Sequence, residues 1–282
     1  MRGGLGRTAA RTRLAPILAH PRYEVIPATT TEDKVLDAVG KDVTITVTAS
    51  PSKGLEATIA LAERLAGRGY EVVPHVSARL LTDSGHLRDV AARLRAAGVS
   101  DIFVPAGDSA RPAGAFDDAL GVLEELKEID DPFERIGITG YPESHPQVDD
   151  DVTIQAMWDK RRYADYIVSN LCFDTKVLSR WIRRVRARGV SLPMYVGMAG
   201  PIEATKLVAM AAKIGLAESS RFAGKHFGWV ARMGTPGGYD PDRFLERLSS
   251  TLADPALAVA GVHVFTFNQV AETEAWRRSM LS

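Results

Sequence analysis

The fold is indicated by residues 43–75, which read VTITVTASPSKGLEATIALAERLAGRGYEVVPH. A short run rich in β-branched residues at 43–48 is followed at 55–67 by apolar residues that recur every three to four positions, the pattern of an amphipathic helix. A second β-rich run follows at 71–75. Because the intervening helix carries the chain back along the sheet, this segment predicts two parallel strands joined by a helix.

The same alternation continues along the chain and predicts eight strands and nine helices. Strands are predicted at 23–27, 43–48, 71–75, 101–105, 136–139, 166–171, 194–197 and 262–266. Helices are predicted at 31–39, 55–67, 85–97, 115–129, 152–163, 175–188, 202–214, 240–252 and, after the last strand, 270–280. Eight units of about 35 residues are typical of an α/β protein folded as a single (β/α)8 TIM barrel.

Two segments fall outside this repeat. Residues 1–22 contain five arginines and no acidic residue, and we predict a flexible basic N-terminal arm there, with the barrel as one catalytic domain over 23–282. The stretch 215–239 follows strand seven, is rich in glycine and is longer than a minimal loop. We expect this loop to cover one mouth of the barrel.

Composition excludes several classes of protein. The chain has 35 basic and 35 acidic residues, so it lacks the basic excess of a general nucleic-acid binder. Its single cysteine, Cys172, allows neither an intramolecular disulfide nor an all-cysteine metal site, and its six histidines show no metal-ligand spacing. No apolar run reaches the length of a membrane helix. We therefore expect a cytoplasmic protein that uses no metal and contacts neither nucleic acid nor membrane.

The candidate site lies where the strands end, because active sites of (β/α)8 barrels gather at the C-terminal ends of the strands. Glu24 is a carboxylate inside strand one; it points either into the barrel, where burial would favour the protonated form that a general acid needs, or toward the helices, where a lysine would pair with it. Periodicity favours neither. Asp108, after strand four, is suited to bind an amidine-like edge or to cap a helix.

Several motifs, taken in order, resemble the methylenetetrahydrofolate reductase family over about residues 23–276. The matching segments are YEVIPA at 23–28, TVT at 46–48, PH at 74–75, AGD at 106–108, YPESHP at 141–146, NLCFD at 170–174, GP at 200–201 and FTFNQ at 265–269. The segment at 141–146 is the most specific of these. The resemblance implies hydride transfer to 5,10-methylenetetrahydrofolate, which yields 5-methyltetrahydrofolate.

The resemblance also implies roles for individual residues. Glu24 would be the general acid, and Asp108 would bind the pterin and favour a cationic intermediate. Asn170 would occupy the pterin-binding position of the family glutamine. One of Phe222 and Phe227 would stack on the folate. Gln269 replaces an arginine of the family near the glutamate tail of the substrate.

The sequence departs from the family at positions that bind the cofactor. Most members pass hydride from a nicotinamide through FAD, which is held partly by an arginine where this chain has Ala106. Positions that match the cofactor-binding side of the family are Thr48, His75, Tyr141, His145 and Lys160. We expect a flavin-independent form, resembling the actinobacterial branch, in which NADH gives hydride directly to the folate.

Three alternatives stay open at this stage. The chain could be an ordinary FAD-dependent reductase, a folate-binding relative without activity, or an unrelated barrel with other chemistry. Apart from the reduced folate, the partner that we consider is a second copy of the chain in a homo-oligomer.

Overall fold

The computed structural model describes residues 2–129, 132–142, 150–202 and 239–282. In these ranges eight strands alternate with helices as the sequence predicts. The strands are β1 (Arg22–Val25), β2 (Thr44–Val47), β3 (Val72–Pro74), β4 (Asp101–Val104), β5 (Arg135–Gly140), β6 (Tyr166–Ser169), β7 (Met194–Ala199) and β8 (Val259–Phe265). The helices are α1 (Arg2–Ala19), α2 (Thr31–Ala38), α3 (Gly54–Gly67), α4 (Ser84–Ala96), α5 (Ala119–Glu128), α6 (Asp150–Lys160), α7 (Thr175–Ala187), α8 (Pro241–Leu252) and α9 (Val270–Leu281).

All eight strands belong to one parallel sheet that closes on itself. Their order is β3-β2-β1-β8-β7-β6-β5-β4, so the first strand pairs with the last. The two ends of this order meet through a parallel bridge between His75 and Phe103, where the amide of Val76 donates to the carbonyl of Phe103 at 2.8 Å. The predicted single (β/α)8 TIM barrel is therefore confirmed.

The main core lies between the strands and the helices. Strand residues such as Val25, Ile45 and Ile102 point outward and pack with buried helix residues such as Leu65 and Trp181. Because a strand alternates its side chains between two faces, the residues between them point inward. A smaller apolar cluster of Val73, Phe103, Tyr166 and Val168 fills the interior. The inward set carries most of the polar groups discussed below.

The N-terminal segment differs from the flexible arm predicted for residues 1–22. It forms the helix α1, in which Leu14 and Leu18 are fully buried within the main core. The buried guanidinium of Arg277 donates to the carbonyls of Leu18 and Ala19 at 3.4 and 3.0 Å, which fixes the C-terminal end of the helix. The arginines of this segment suggest an arm exposed to solvent. Its two leucines, which lie one helical turn apart, are the residues that attach it to the core.

The end of the chain agrees with the prediction, because α9 occupies the place of the ninth helix expected at 270–280. The helix predicted at 202–214 and most of the loop predicted at 215–239 lie outside the described residues. Among the helices that are described, none combines the length and the hydropathy needed to cross a membrane.

Candidate active site

The inward face of β1 supplies the centre of the candidate site. Tyr23 points outward, where its hydroxyl donates to the Glu274 carboxylate of α9 at 2.9 Å. Arg22 and Glu24, its neighbours in the strand, therefore point into the barrel. The strand is held in place because the Thr266 hydroxyl donates to the carbonyl of Glu24 at 2.6 Å.

A network of charged and aromatic groups closes the end of the barrel where the strands begin. Arg22 donates to Asp101 at 2.8 Å, and its guanidinium lies 4.3 Å and 4.1 Å from the ring centres of Tyr166 and Tyr195. The Tyr166 hydroxyl donates to the second oxygen of Asp101 at 2.7 Å. Burial raises the pKa of Asp101, and the charge of Arg22 opposes that shift. Within the described residues, this layer of side chains forms a floor across the barrel, and the candidate site lies on its other side, toward the ends of the strands.

Glu24 lies above this floor and faces two histidines. Its Oε2 is 3.0 Å from Nε2 of His263 on β8 and 3.8 Å from Nε2 of His75 just after β3. The side chains of His263 and His75 are 2% and 7% exposed, whereas that of Glu24 is 15% exposed. Of the two orientations considered for Glu24, the structure has the one that points into the barrel.

Burial controls the protonation of His75. It lowers the pKa of His75 to about 4, and this shift is opposed by the nearby Glu24 and reinforced by His263. The ring packs against Phe103, with ring centres 4.7 Å apart. His75 is therefore neutral at physiological pH, and it does not act as a cationic partner of Glu24.

Buried polar atoms without hydrogen-bond partners surround this carboxylate. Among the described residues, Oγ1 of Thr46 and Nε2 of His75 are such atoms. Buried polar groups are normally hydrogen-bonded, so unpaired ones inside a lumen indicate a place where a ligand or water binds. The interior next to Glu24 is thus a candidate binding pocket.

Two predicted residues meet at the open mouth. Asp108 is exposed in the loop after β4, and Tyr141 follows β5. Burial raises the pKa of Tyr141 to about 12, and the negative charge of Asp108 adds to the shift. The structure therefore brings Asp108 and Tyr141 near each other, with Tyr141 protonated at neutral pH.

The loop that carries Asp108 is rigidly held by the segment after β3. The Arg79 guanidinium donates to the carbonyls of Ser109 and Asp117 at 2.8 and 2.9 Å. Gly107 has a φ of 95°, and a Cβ there would lie 2.0 Å from the Ser77 hydroxyl oxygen. Only glycine fits this close approach, and it fixes the position from which Asp108 projects.

Other predicted residues lie at the ends of their strands with partly local partners. Thr48 follows β2, and its hydroxyl donates to the carbonyl of Ala49 at 3.4 Å. Asn170 follows β6, and its side-chain oxygen accepts from the amide of Leu171 at 2.8 Å. The Gln269 carbonyl accepts from the Thr273 hydroxyl at the start of α9. These contacts place the three residues on the ends of β2, β6 and β8.

Lys160 is separate from this group. It lies in the last turn of α6, where burial lowers its pKa and the charges of Asp118 and Asp159 oppose the shift. Both acids belong to the helix layer rather than to the lumen. The remaining predicted residues, His145, Phe222 and Phe227, lie outside the described residues.

Sequence reasoning did not include His263 in the site. A signal was present, because His263 and Phe265 alternate along the predicted last strand and so share one face. Arg22 was also missed, since it was assigned to the arm before the first strand. Within the described ranges, no group of three or more histidine, cysteine or acidic residues could hold a metal ion.

Comparisons with known proteins point to one family. The family model for methylenetetrahydrofolate reductase matches residues 29–219. Methylenetetrahydrofolate reductase 2 of Saccharomyces cerevisiae is 28% identical over 112 residues, which is 36% of this chain and 19% of that protein. Methylenetetrahydrofolate reductase 1 of Schizosaccharomyces pombe is 37% identical over 71 residues, 24% of this chain and 12% of that protein. The aligned segments thus span less than a fifth of either relative.

Among solved structures, an oxaloacetate acetylhydrolase in complex with 3,3-difluorooxalacetate aligns with a TM-score of 0.48 and 12% identity. The alignment covers 90% of this chain and 97% of that one.

Proposed function

Since the chain belongs to the methylenetetrahydrofolate reductase family, we propose that it reduces 5,10-methylenetetrahydrofolate to 5-methyltetrahydrofolate with hydride from NADH and without a bound flavin. The observation that carries the proposal is the position of Glu24. Its carboxyl group is inside the barrel, above a floor of side chains and beside unpaired polar atoms of Thr46 and His75. A bound substrate could receive a proton there.

The proposed reaction needs one proton and one hydride. Glu24 gives its proton to N10 of the folate as the bond between N10 and the bridging carbon breaks, which leaves that carbon as an iminium cation on N5. Hydride from NADH then adds to the same carbon, which becomes the methyl group, while NADH is oxidised to NAD⁺. Glu24 is left as a carboxylate and regains its proton from solvent through the open mouth.

Asp108 and Tyr141 are suited to hold the pterin at that mouth. A carboxylate can accept two parallel hydrogen bonds from the amidine edge of a pterin, and its charge favours an iminium cation nearby. Asp108 projects from a loop that Arg79 and Gly107 hold rigid, as a positioning group requires. The Asn170 amide, at the end of β6, would add a further contact to the pterin.

The groups present do not fit the pyrophosphate of FAD at the position that the family uses. Ala106 occupies the place of the family arginine. The Arg79 guanidinium, which reaches this loop from the segment after β3, already donates to the carbonyls of Ser109 and Asp117. Lys160 has Asp118 and Asp159 as its charged neighbours. The pyrophosphate of FAD needs uncommitted cations or clustered amides, so these contacts disfavour FAD at that position.

An anaerobic assay tests the proposed function. Purified protein is mixed with NADH and methylenetetrahydrofolate, with and without added FAD, and the loss of nicotinamide absorbance is followed. We expect equal turnover in both mixtures and no flavin spectrum in the purified protein. Turnover that requires FAD would contradict the flavin-independent proposal. Folate binding without turnover in either mixture would indicate a non-catalytic folate-binding protein.

The variant Glu24→Gln tests the role of the carboxyl group. The amide keeps the size of the side chain but cannot supply the proton, so kcat should fall about 100- to 10,000-fold while folate affinity changes little. Glu71→Gln is the matched control, because Glu71 is exposed just before β3 and accepts a hydrogen bond from the Thr44 hydroxyl of β2. It should leave kcat unchanged. A wild-type rate in Glu24→Gln would remove Glu24 from the mechanism.

A further inference from the structure

We propose that His263 is a positioning residue that directs the proton of Glu24, an inference that rests on the proposed function. His263 donates a hydrogen bond from Nε2 to Oε2 of Glu24, so that the transferable proton is carried by Oε1. The proposal stands on the 3.0 Å contact, on the burial of the histidine and on the lack of a partner for its other nitrogen.

The two residues are held facing each other by the backbone. His263 lies on β8, which pairs directly with β1, and its ring packs against Phe265 with ring centres 5.0 Å apart. The Thr266 hydroxyl donates to the carbonyl of Glu24 and fixes the same strand from the mouth side. The pairing of the first strand with the last therefore keeps both side chains on neighbouring strands and on the inner face of the barrel.

The environment of Nδ1 selects the tautomer of His263. This atom is buried and has no hydrogen-bond partner among the described residues. A proton on Nδ1 would be a buried, unpaired donor, whereas a proton on Nε2 is used in the contact with Glu24 and leaves only a lone pair unpaired. A proton on both nitrogens would add a buried charge to the unpaired donor. The geometry therefore favours the tautomer that is protonated on Nε2.

This tautomer decides where Glu24 keeps its proton. If Nε2 were an acceptor, it would bind the proton of Oε2 and hold it away from the substrate. As a donor, Nε2–H occupies Oε2, and the proton lies on Oε1, which has no hydrogen-bond partner within the described ranges. The same donor then stabilises the carboxylate that remains after proton transfer, so its contribution is larger in the transition state than in the ground state.

The other titratable groups near Glu24 cannot take this role. His75, from the end of β3, is 3.8 Å from Oε2, beyond hydrogen-bond distance. Arg22, on β1 itself, lies one layer below and is engaged with Asp101, Tyr166 and Tyr195. Among the described groups on the strands around Glu24, only His263 is a donor within reach.

Two variants of His263 separate positioning from packing. His263→Leu removes the donor, and we expect kcat to fall about 10- to 100-fold, the range for a lost hydrogen bond to a charged group, while the dissociation constant for folate changes less than about threefold. His263→Gln places an amide donor near the former Nε2 and should recover at least about tenfold of the loss in kcat. Equal kcat in His263→Leu and the wild type would overturn the proposal.

A measurement on the wild-type protein does not depend on how the variants fold. Nitrogen NMR of protein labelled with ¹⁵N at its histidines shows which ring nitrogen carries the proton, and the spectrum of His263→Gln assigns the signal of His263. We expect the proton on Nε2 and an unprotonated Nδ1. A proton on Nδ1 would overturn the proposal even if the protein reduces folate. A wild type that reduces no folate, whatever its tautomer, would instead overturn the proposed function.

Discussion

The two histidines that face Glu24 have different roles because their distances and surroundings differ. His263 is within hydrogen-bond distance of the carboxylate, whereas His75 is not and packs against Phe103. For His75, the unfavourable burial of a charged ring outweighs the attraction of Glu24, and its pKa falls to about 4. His75, which the sequence places among the cofactor-binding residues, is thus also expected to affect how the stability of the protein depends on pH.

The lowered pKa of His75 predicts acid sensitivity. Between its ordinary value of 6.5 and the folded value of about 4, the unfolded chain binds a proton that the folded protein does not. The stability that neutral His75 contributes is therefore fully present above about pH 6.5 and is lost as pH falls toward 4. From about pH 7.5 to about pH 5 this loss amounts to about 2 kcal/mol.

Urea unfolding of the wild type and of His75→Gln at the two pH values measures this effect. The glutamine cannot titrate, so the variant should lose about 2 kcal/mol less than the wild type over the interval. The same loss in both proteins would show that His75 does not titrate in this way.

At the same scale, the sequence indicates which residues of a strand share a face but not which face points inward. Tyr23 and Val25 form one set and Arg22 and Glu24 the other, and both sets are largely buried. In a parallel barrel both faces of a strand are covered, by helices outside and by the lumen inside. Polarity alone therefore could not decide the orientation of Glu24. The contacts with His263 and His75 decide it, and these come from distant parts of the sequence.

At the scale of elements, the strands inside the barrel limit each other's side chains. Gly137 on β5 lies beside Tyr166 on β6, and a Cβ at Gly137 would be 2.3 Å from the ring of Tyr166. That ring is fully buried and lies beneath the guanidinium of Arg22, so it has no space to move into. Because Gly137 has no side chain, the ring of Tyr166 can occupy this space and form part of the floor of the barrel.

Gly137→Ala should therefore be destabilising. Moving the Tyr166 ring would break its 2.7 Å hydrogen bond to Asp101, and overpacking of this kind typically costs about 1–3 kcal/mol. Gly67→Ala is a suitable control, since a Cβ at Gly67 meets nothing within 4 Å and alanine favours the helix. Thermal unfolding should show a lower midpoint for the first variant and an equal or higher one for the second. Equal midpoints for Gly137→Ala and the wild type would contradict this account.

Local patterns were sufficient for most elements, because β-branched runs and helical periodicity are properties of short segments. The helix predicted at 55–67 is found at Gly54–Gly67, and the strand predicted at 101–105 is found at Asp101–Val104. The exception is α1, whose arginines obscured the pair Leu14 and Leu18. Those two leucines become informative only when the helices that bury them are present, and the helices come from the other end of the chain.

At the scale of the whole molecule, β1, near the start of the chain, contacts residues from the last part of the chain on both of its faces. Outside the barrel, Tyr23 bonds Glu274, which also accepts hydrogen bonds from Arg277 and Arg278. Inside, Glu24 contacts His263. The site therefore exists only when the barrel is closed, which is why the motifs of single strands predicted the residues at the mouth but not the pair at the centre.

This arrangement predicts that neighbouring residues of β1 have separable roles. Tyr23→Phe removes the donor to the buried carboxylate of Glu274 and should cost about 1–3 kcal/mol, while the folded protein keeps its kcat because the inward face is untouched. Glu24→Gln should have the opposite profile, with turnover lost and a smaller change in stability. Urea unfolding followed by circular dichroism, together with kcat measured below the unfolding transition, distinguishes the two. If Tyr23→Phe lost turnover as Glu24→Gln does, the outer contact would be controlling the position of Glu24, and stability and catalysis would not be divided between the two faces of the strand.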